Sequence, residues 1–282
     1  NLGHMDATLV SYRRSLELTE RLRAKGLGDV ALLRRLAETY AKTAEVCRFM
    51  NKQAEAKEAY QKALVVGEQL LAVNGKDEVG HHTVALVYDG LGNLANLDGS
   101  NAALGLEYLR RSQVAVERWL KEAPSDRAHL TLATSHLQLG GKLLPTGATE
   151  EAEDTINKGV TILNEFLKTS PDNLKAKSIL SDLYSELGDV AKAKENSKDS
   201  AKHYQRALAI YEEMAAQDPR NALARLNVRF KACQLGEALL DFDPAQAVTM
   251  LRKALDRGPD ARPLSPESRV HQMFTWLNLA RA

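Results

Sequence analysis

The feature that most constrains this chain is a Leu-Gly pair that returns every 48 residues. It occurs at Leu91-Gly92, Leu139-Gly140, Leu187-Gly188 and Leu235-Gly236, and one step back from Gly92 falls on Ala44. Turn-forming residues recur seven positions later, at Gly3, Asn51, Gly99, Gly147, Glu195 and Asp243. A third series, at Pro124, Pro171 and Pro219, keeps nearly the same spacing. Three series in one phase indicate an internal repeat, so one structural unit is copied along the chain.

Each repeat is predicted to be a pair of antiparallel helices, A and then B. Apolar residues such as Leu180, Leu183 and Leu187 recur at helical steps of three and four, and no stretch alternates with the period of a strand. The A helices are expected over 29–49, 77–97, 126–144, 173–188, 221–240 and 266–282, and the B helices over 5–24, 52–73, 101–122, 150–169, 197–216 and 245–257. One pair cannot bury its apolar face alone, so the pairs must stack. The expected fold is an all-α solenoid of about six pairs in one domain, residues 1–282.

Small and large residues alternate in phase within these helices. The B helices carry Tyr12/Ser15/Leu16, Tyr60/Ala63/Leu64, Ile156/Gly159/Val160, Tyr204/Ala207/Leu208 and Leu251/Ala254/Leu255, and the A helices carry Tyr40, Tyr88 and Tyr184. Together with the Leu-Gly pairs and exit prolines, this pattern resembles the tetratricopeptide repeat (TPR) family. The resemblance implies a right-handed superhelix. The period is longer than the usual ~34 residues, and the third unit has one extra residue before Tyr108 and the sixth one fewer before Leu251.

Three segments carry a narrower resemblance. Residues 11–16, 59–64 and 204–210 look like long-repeat TPR arrays that follow bacterial serine/threonine kinase domains. The chain itself has no Gly-rich loop on a strand and no His-Arg-Asp loop, so the resemblance implies a signalling context without kinase activity. Because the chain begins with a B helix and ends with an A helix, we expect it to be a portion of a longer protein that lacks helix A of the first unit.

Composition excludes several classes of function. With 38 Lys and Arg against 37 Asp and Glu, the net charge is +1, and aromatics are only 5% of the chain. Neither property suits a nucleic-acid partner. No apolar run approaches the ~20 residues that cross a bilayer, so we expect no membrane insertion by this segment. A cytoplasmic location is expected, or an extracytoplasmic one if the segment follows a membrane span in a longer protein.

No pattern in the sequence indicates catalysis, a cofactor or a metal. The two cysteines, Cys47 and Cys233, are too few for a metal site and are predicted to be unbridged thiols. His81 and His82 are adjacent and so face different directions on a helix, which predicts a solvated helix start. The segment from Gly90 to Ala95 fits a dinucleotide fingerprint by letter, but it lies within a predicted helix. We therefore expect a protein that is not an enzyme and has no cofactor.

The TPR resemblance implies that the A helices line a concave groove that binds a peptide or protein segment. The family's groove positions fall on Glu38, Ala41, Glu45, Arg48, Phe49, Leu86, Asp89, Asn93, Asn96, Thr134, Leu137, Leu144, Asp182, Ser185, Asp189, Lys192, Phe230, Cys233, Glu237 and Asp241. Seven of these residues are acidic and two are basic. The sequence therefore predicts a partner segment, extended or helical, that carries Lys or Arg.

The leading prediction for function is a scaffold for protein–protein interaction, as the sensor or docking arm of a bacterial signalling kinase. The alternative is a structural element that assembles through its exposed ends. Apolar residues at the two ends favour that alternative: Leu9, Leu16 and Leu18 in the first helix, and Met273, Phe274 and Trp276 in the last.

Overall fold

A computed structural model describes residues 2–26, 29–96, 101–256 and 275–280, and this part of the chain contains helices and turns but no strand. The helices are α1 (Leu2–Ala24), α2 (Val30–Phe49), α3 (Gln53–Val73), α4 (Glu78–Asn96), α5 (Ala102–Glu122), α6 (Asp126–Leu143), α7 (Thr149–Thr169), α8 (Leu174–Ala193), α9 (Ser197–Gln217), α10 (Ala222–Leu239) and α11 (Pro244–Leu255). A 3₁₀ turn, Leu144–Thr146, follows α6, and residues 275–280 are also helical. The prediction of an all-α chain of helix pairs is confirmed.

The helix boundaries agree with the sequence prediction within three residues, with one exception. The sequence predicts that helix α8 ends at residue 188, but the helix continues to Ala193. Gly188 is not a terminator: it packs in the middle of the helix against Tyr204, and Val190 and Ala191 beyond it are still buried. Most of the last predicted A helix lies outside the described residues.

The predicted turn residues carry the backbone geometry that reverses the chain between A and B helices. Asn51, Gly147 and Glu195 have φ angles of 58°, 81° and 57°, in the left-handed region that ends many helices. Asp243 instead begins a helix, and its side chain accepts a hydrogen bond of 3.0 Å from the backbone N–H of Gln246. Gly3 lies in the first turn of α1, and Gly99 lies outside the described residues.

Contacts divide the chain into two compact units, residues 1–135 and 136–282. In unit 1 each helix from α1 to α5 packs on the next, and α2 also packs on α4. In unit 2 the same succession runs from α7 to α11. The single domain and the right-handed superhelix stay predictions.

Within each unit the A and B helices cross where a small residue meets a large one. A Cβ atom at Gly92 would lie 2.9 Å from Leu109, and one at Gly236 would lie 2.8 Å from Leu251. Because these distances are shorter than real Cβ contacts, only glycine lets the backbones approach so closely. The partner lies 17 residues after Gly92 and 15 after Gly236, against 16 from Gly188 to Tyr204. These spacings agree with the extra residue of the third unit and the missing residue of the sixth.

The solvated surroundings predicted for His81 are wrong. His81 is buried, its ring stacks on Trp119 with centroids 6.2 Å apart, and its Nε2 lies 2.8 Å from the carbonyl oxygen of Gly75. The large Trp119 ring therefore provides an apolar environment that the local sequence around His81 does not reveal.

Candidate functional site

The A helices of unit 1 present a cavity of about 320 Å³ at the predicted groove. Its lining includes five predicted positions, which are Glu38, Ala41, Glu45, Phe49 and Leu86. Sequence reasoning missed six further lining residues: Tyr12, Lys42, Val46, His82, Thr83 and Arg127. Helices α2 and α4 place the predicted residues together because a step of three or four residues returns to the same face of a helix.

An exposed aromatic side chain borders this cavity. Phe49 ends α2 with 61% of its surface exposed, and the Arg48 guanidinium lies 4.3 Å from the centre of its ring. Arg48 Nη2 also donates a hydrogen bond of 3.0 Å to Glu45 Oε2. The ion pair with Glu45 holds the Arg48 guanidinium, and the cation–π contact with that guanidinium holds the Phe49 ring. Because the ring is already ordered, less side-chain entropy is lost when a partner binds.

The acidic residues of unit 1 are less available than the sequence suggests. Glu45 accepts a hydrogen bond from the Tyr60 hydroxyl in addition to the one from Arg48. Asp89 is partly buried, and its Oδ1 is shielded from solvent with no hydrogen-bond partner among the described residues. Burial, together with the charge of Glu45, raises the pKa of Asp89 to about 7, although the nearby Ser112 hydroxyl acts in the opposite direction. Of the three predicted groove acids in unit 1, Glu38, Glu45 and Asp89, only Glu38 is exposed.

Unit 2 places a cation among its predicted acids. Lys231, on α10, is only 7% exposed, and its Nζ donates to Asp182 Oδ1 at 2.9 Å and to Ser185 Oγ at 2.7 Å. Asp182 is partly exposed, so this ion pair is half solvated. Two predicted groove residues therefore form a site for an ammonium group that the protein itself fills.

Two of the remaining predicted acids of unit 2 have partners, a third, Asp241, is exposed, and a partly buried acid, Glu186, was missed by the sequence prediction. Asp189 accepts a hydrogen bond of 2.6 Å from the Tyr204 hydroxyl, and Glu237 accepts one of 2.7 Å from Asn278. Glu186 forms no hydrogen bond or ion pair with any described residue. Burial, and next the charges of Asp189 and Asp182, raise its pKa to about 7, although Lys231 and Lys142 act in the opposite direction.

Other predicted groove residues are partly buried. Leu137, Leu144 and Phe230 are partly buried, Asn93 is partly buried at the last turns of α4, and the side chain of Asn96 is not described.

One functional residue that the sequence prediction missed, Lys231, could have been recognised from the repeat pattern. Lys231 stands in a column of repeat positions that otherwise holds small or apolar residues, namely Thr39, Val87, Ser135 and Leu183. A lysine in a buried column indicates an internal ion pair.

The face carries more cations than the two counted from sequence. In the unit 1 cavity Lys42 and Arg127 balance Glu38 and Glu45, whereas in unit 2 Lys231 is outnumbered by carboxylates. Within the described ranges, no group of three or more potential ligands is arranged to hold a metal. Nor is any described helix both long and apolar enough to span a bilayer.

Antiparallel pairs spaced by 48 residues, with small-on-large crossings, make the described chain a TPR-like helical repeat. No protein-family model matches the chain, and no curated protein does. Similar solved structures include TTC0263, a thermophilic TPR protein in Thermus thermophilus, at 19% identity and a TM-score of 0.45 over 82% of this chain and 95% of that one. MamA protein is similar at 16% identity and a TM-score of 0.43, over 82% and 98%. YrrB, a TPR protein with an unusual peptide-binding site, is similar at 17% and 0.35, over 84% and 92%.

Proposed function

We propose that the chain is a non-enzymatic scaffold that binds a protein segment on its A-helix face. The observation that carries the proposal is the cavity of about 320 Å³ in unit 1, with the exposed ring of Phe49 at its edge. An exposed aromatic residue that is already held in place, beside a recess of this size, has the character of a binding hot spot. An aliphatic or aromatic side chain of the partner would enter between Phe49 and Leu86.

The partner segment is proposed to be cationic as well. In unit 2, Asp182 and Ser185 already bind the ammonium of Lys231, so this face supports the chemistry of an inserted lysine. Glu186 nearby has no cation of its own within 4 Å in the described part of unit 2, and in unit 1 Glu38 is exposed at the cavity. A basic side chain that follows the apolar anchor in unit 1 would meet Glu38, and in unit 2 Glu186 would offer a basic side chain the same kind of contact.

The test uses labelled peptides that pair an aromatic anchor with either Lys or Glu residues, measured by fluorescence anisotropy at several salt concentrations. We expect the Lys peptides to bind and to weaken as salt rises. Phe49→Ala should weaken binding about tenfold, while Phe242→Ala, which removes another exposed ring, should leave it unchanged. A preference for the Glu peptides contradicts the cationic part, and binding that ignores Phe49→Ala contradicts the site.

The finer proposal, that the scaffold is the docking or sensor arm of a bacterial signalling kinase, is supported by the sequence resemblance alone. Its test is the reading frame that encodes the chain. A kinase domain before the repeats would support the proposal, and a complete frame without one would contradict it.

A second candidate, self-association through the chain ends, is supported by exposed apolar side chains. Leu18 on α1 and Trp276 in the helix at 275–280 are each more than half exposed. Leu9, which the sequence predicts as a contributor, is buried in the unit 1 core and does not contribute. If the ends associate, the mass measured by light scattering should rise with concentration, and Leu18→Glu should lower it. A constant monomer mass rules this candidate out.

A further inference from the structure

Two further cavities lie in unit 1 between α3 and α5, above α4, and they do not include the site described above. Their volumes are about 540 and about 340 Å³. The larger lies along the second half of α3, with Glu68 and Leu71 in its lining, and the smaller lies along the first half. Both are therefore bounded by the same three helices, and together we name them the α3–α5 furrow.

The floor of the furrow shows that the two cavities lie end to end. Helix α4 contributes His81, Val84 and Tyr88 to the larger one and Leu91 and Ala95 to the smaller. These residues follow one another at steps of three and four, so they form a single stripe on α4. The stripe is about 21 Å long at 1.5 Å per residue, which is about four turns of helix.

In the preceding furrow, between α1 and α3, two contacts cover the equivalent tyrosine, Tyr40. There the Tyr40 hydroxyl of α2 donates a hydrogen bond to Glu20, and the Lys62 ammonium lies 5.8 Å from the centre of the Tyr40 ring. One repeat later the same residue types stand at Tyr88 and Glu68. Among the described residues no hydrogen bond joins them, and both line the larger cavity.

The cation equivalent to Lys62 lies over Tyr108 and not over Tyr88. Allowing for the extra residue in this unit, Arg111 is the counterpart of Lys62, but its guanidinium lies 5.9 Å from the ring of Tyr108. Tyr108 in turn stacks on Tyr88, with ring centroids 6.4 Å apart. Among the described residues, the α3–α5 furrow thus lacks the two contacts that cover the tyrosine in its neighbour, and it leaves a recess with an aromatic floor.

The chemistry of the furrow selects one kind of occupant. Its walls include the aliphatic side chains of Leu71 and Val114, and Val114 is 66% exposed. The charged residues in the lining of the two cavities are four cations and two carboxylates: Lys57, Arg110, Arg111 and Arg118 against Glu68 and Glu107. Arg111 pairs with Glu107, and Arg118 pairs with Glu122 just outside the lining, so with Glu122 counted the cations still outnumber the carboxylates by four to three. A guest with an apolar stripe and acidic flanks complements this combination.

We infer that the α3–α5 furrow binds an amphipathic helix of a partner protein. The helix has about four turns, its apolar stripe lies on Val84 and Val114, and carboxylates beside that stripe face the arginines of α5. Because the furrow and the A-helix cavity share no lining residue, this inference does not rest on the proposed function.

The experiment measures fluorescence anisotropy of a labelled helix whose shape is fixed by a hydrocarbon staple. The peptide is about 16 residues long, the length of four to five turns, with leucines at steps of three and four and glutamates on both sides. A matched peptide has lysines in place of the glutamates. We expect the Glu helix to bind the full chain at least tenfold more tightly than the Lys helix, with an affinity that falls as salt rises.

Two matched variants locate the binding. Val114→Glu places a carboxylate in the furrow and should weaken binding of the Glu helix at least tenfold, whereas Val65→Glu, on an exposed position of α3 outside the cavity lining, should leave it unchanged. Both positions are exposed, so both variants should keep the helical circular dichroism of the parent. Equal binding of the two peptides, no binding of either, or indifference to Val114→Glu would each overturn the inference. Phe49→Ala should not alter this binding, which keeps failure here distinct from failure of the A-helix site.

Discussion

Tyr60 in unit 1 and Tyr204 in unit 2 stand at the same repeat position, yet they pack in opposite ways. Both hydroxyls donate to an acid at the crossing of the helix pair, Tyr60 to Glu45 and Tyr204 to Asp189. The rings differ in the helix that makes room for them. Tyr60 occupies the space that a Cβ atom at Gly90 of α4 would need, whereas Tyr204 lies against Gly188 of α8.

The small residue has exchanged places between the two units. Ala44 and Gly90 in unit 1 correspond to Gly188 and Gln234 in unit 2, three repeats later. Each tyrosine ring packs against the adjacent A helix that has a glycine at the point of contact, Gly90 for Tyr60 and Gly188 for Tyr204. The repeat therefore keeps the space that a large ring needs, but either adjacent A helix can supply it.

The largest effect is expected from Gly90→Ala. The new methyl group would overlap the ring of Tyr60, which is wholly buried, so the ring and its bond to Glu45 must shift. Overpacking of this kind costs about 2–3 kcal/mol, partly offset by about 1 kcal/mol of helix propensity. The measurement is the free energy of unfolding in urea.

The comparison supplies both a rescue and a control for this variant. Ala44→Gly in the same chain should recover part of the loss, because the Tyr60 ring can then move as Tyr204 does. Gly75→Ala adds a methyl group with no atom nearer than 4.0 Å and should be close to neutral. If Ala44→Gly makes the double variant less stable than Gly90→Ala alone, the exchange of space between helices is not what sets these crossings.

The charged residues on the A helices also differ between the two units at equivalent repeat positions. Lys42 of unit 1 corresponds to Glu186 of unit 2, and Val87 corresponds to Lys231. Unit 1 therefore has a lysine beside its cavity and an apolar residue beneath it. Unit 2 has a buried ammonium and a carboxylate that lacks a partner among the described residues.

A smaller, pH-dependent effect should follow from Glu186. Its pKa is raised to about 7 from 4.5, first by burial and then by Asp189 and Asp182, so the folded chain binds its proton more tightly than the unfolded chain does. Stability due to this group is therefore full below pH 4.5 and is lost as the pH rises toward 7. Glu186→Gln removes the ionisation and should raise the free energy of unfolding by about 1 kcal/mol at pH 8, with no gain at pH 4.

The control is Glu165→Gln on α7, an exposed residue whose carboxylate pairs with Lys168. It should change stability little at either pH, because exposed ion pairs contribute little. Equal stabilisation by Glu186→Gln at pH 4 and pH 8 would show that ionisation is not the cause. The comparison with Lys42 would then concern packing rather than charge.

The fold was predictable from the sequence because helix packing leaves a periodic trace. The Leu-Gly pairs mark where backbones approach, and Asn51, Gly147 and Glu195 mark where the chain turns. The state of the site was not predictable to the same degree. Glu45 and Asp189 are bound by tyrosines 15 residues later, on another helix, and no local pattern announces which side chain a carboxylate will meet. Lys231 is an exception, because a lysine in a column of otherwise small or apolar repeat positions indicates an internal ion pair.

The smallest effect is expected at the turns, where the two units again use different residues. Asn51 and Glu195 occupy the same repeat position with φ angles of 58° and 57°. Asn tolerates left-handed backbone because its short polar side chain can bond locally, whereas Glu carries the full steric cost of its Cβ atom. Glu195→Gly should therefore raise the free energy of unfolding by about 0.5–1 kcal/mol, a gain measurable as a higher Tm.

Asn51→Gly is the matched substitution in unit 1, and it should gain less than Glu195→Gly does. Glycine relieves the strain of the folded turn but gives the unfolded chain more freedom, and at Asn51 these two terms nearly cancel. Equal gains at both turns would mean that the side chains of Asn51 and Glu195 carry the same strain. Unit 2 would then lose no stability by having Glu195 where unit 1 has an asparagine.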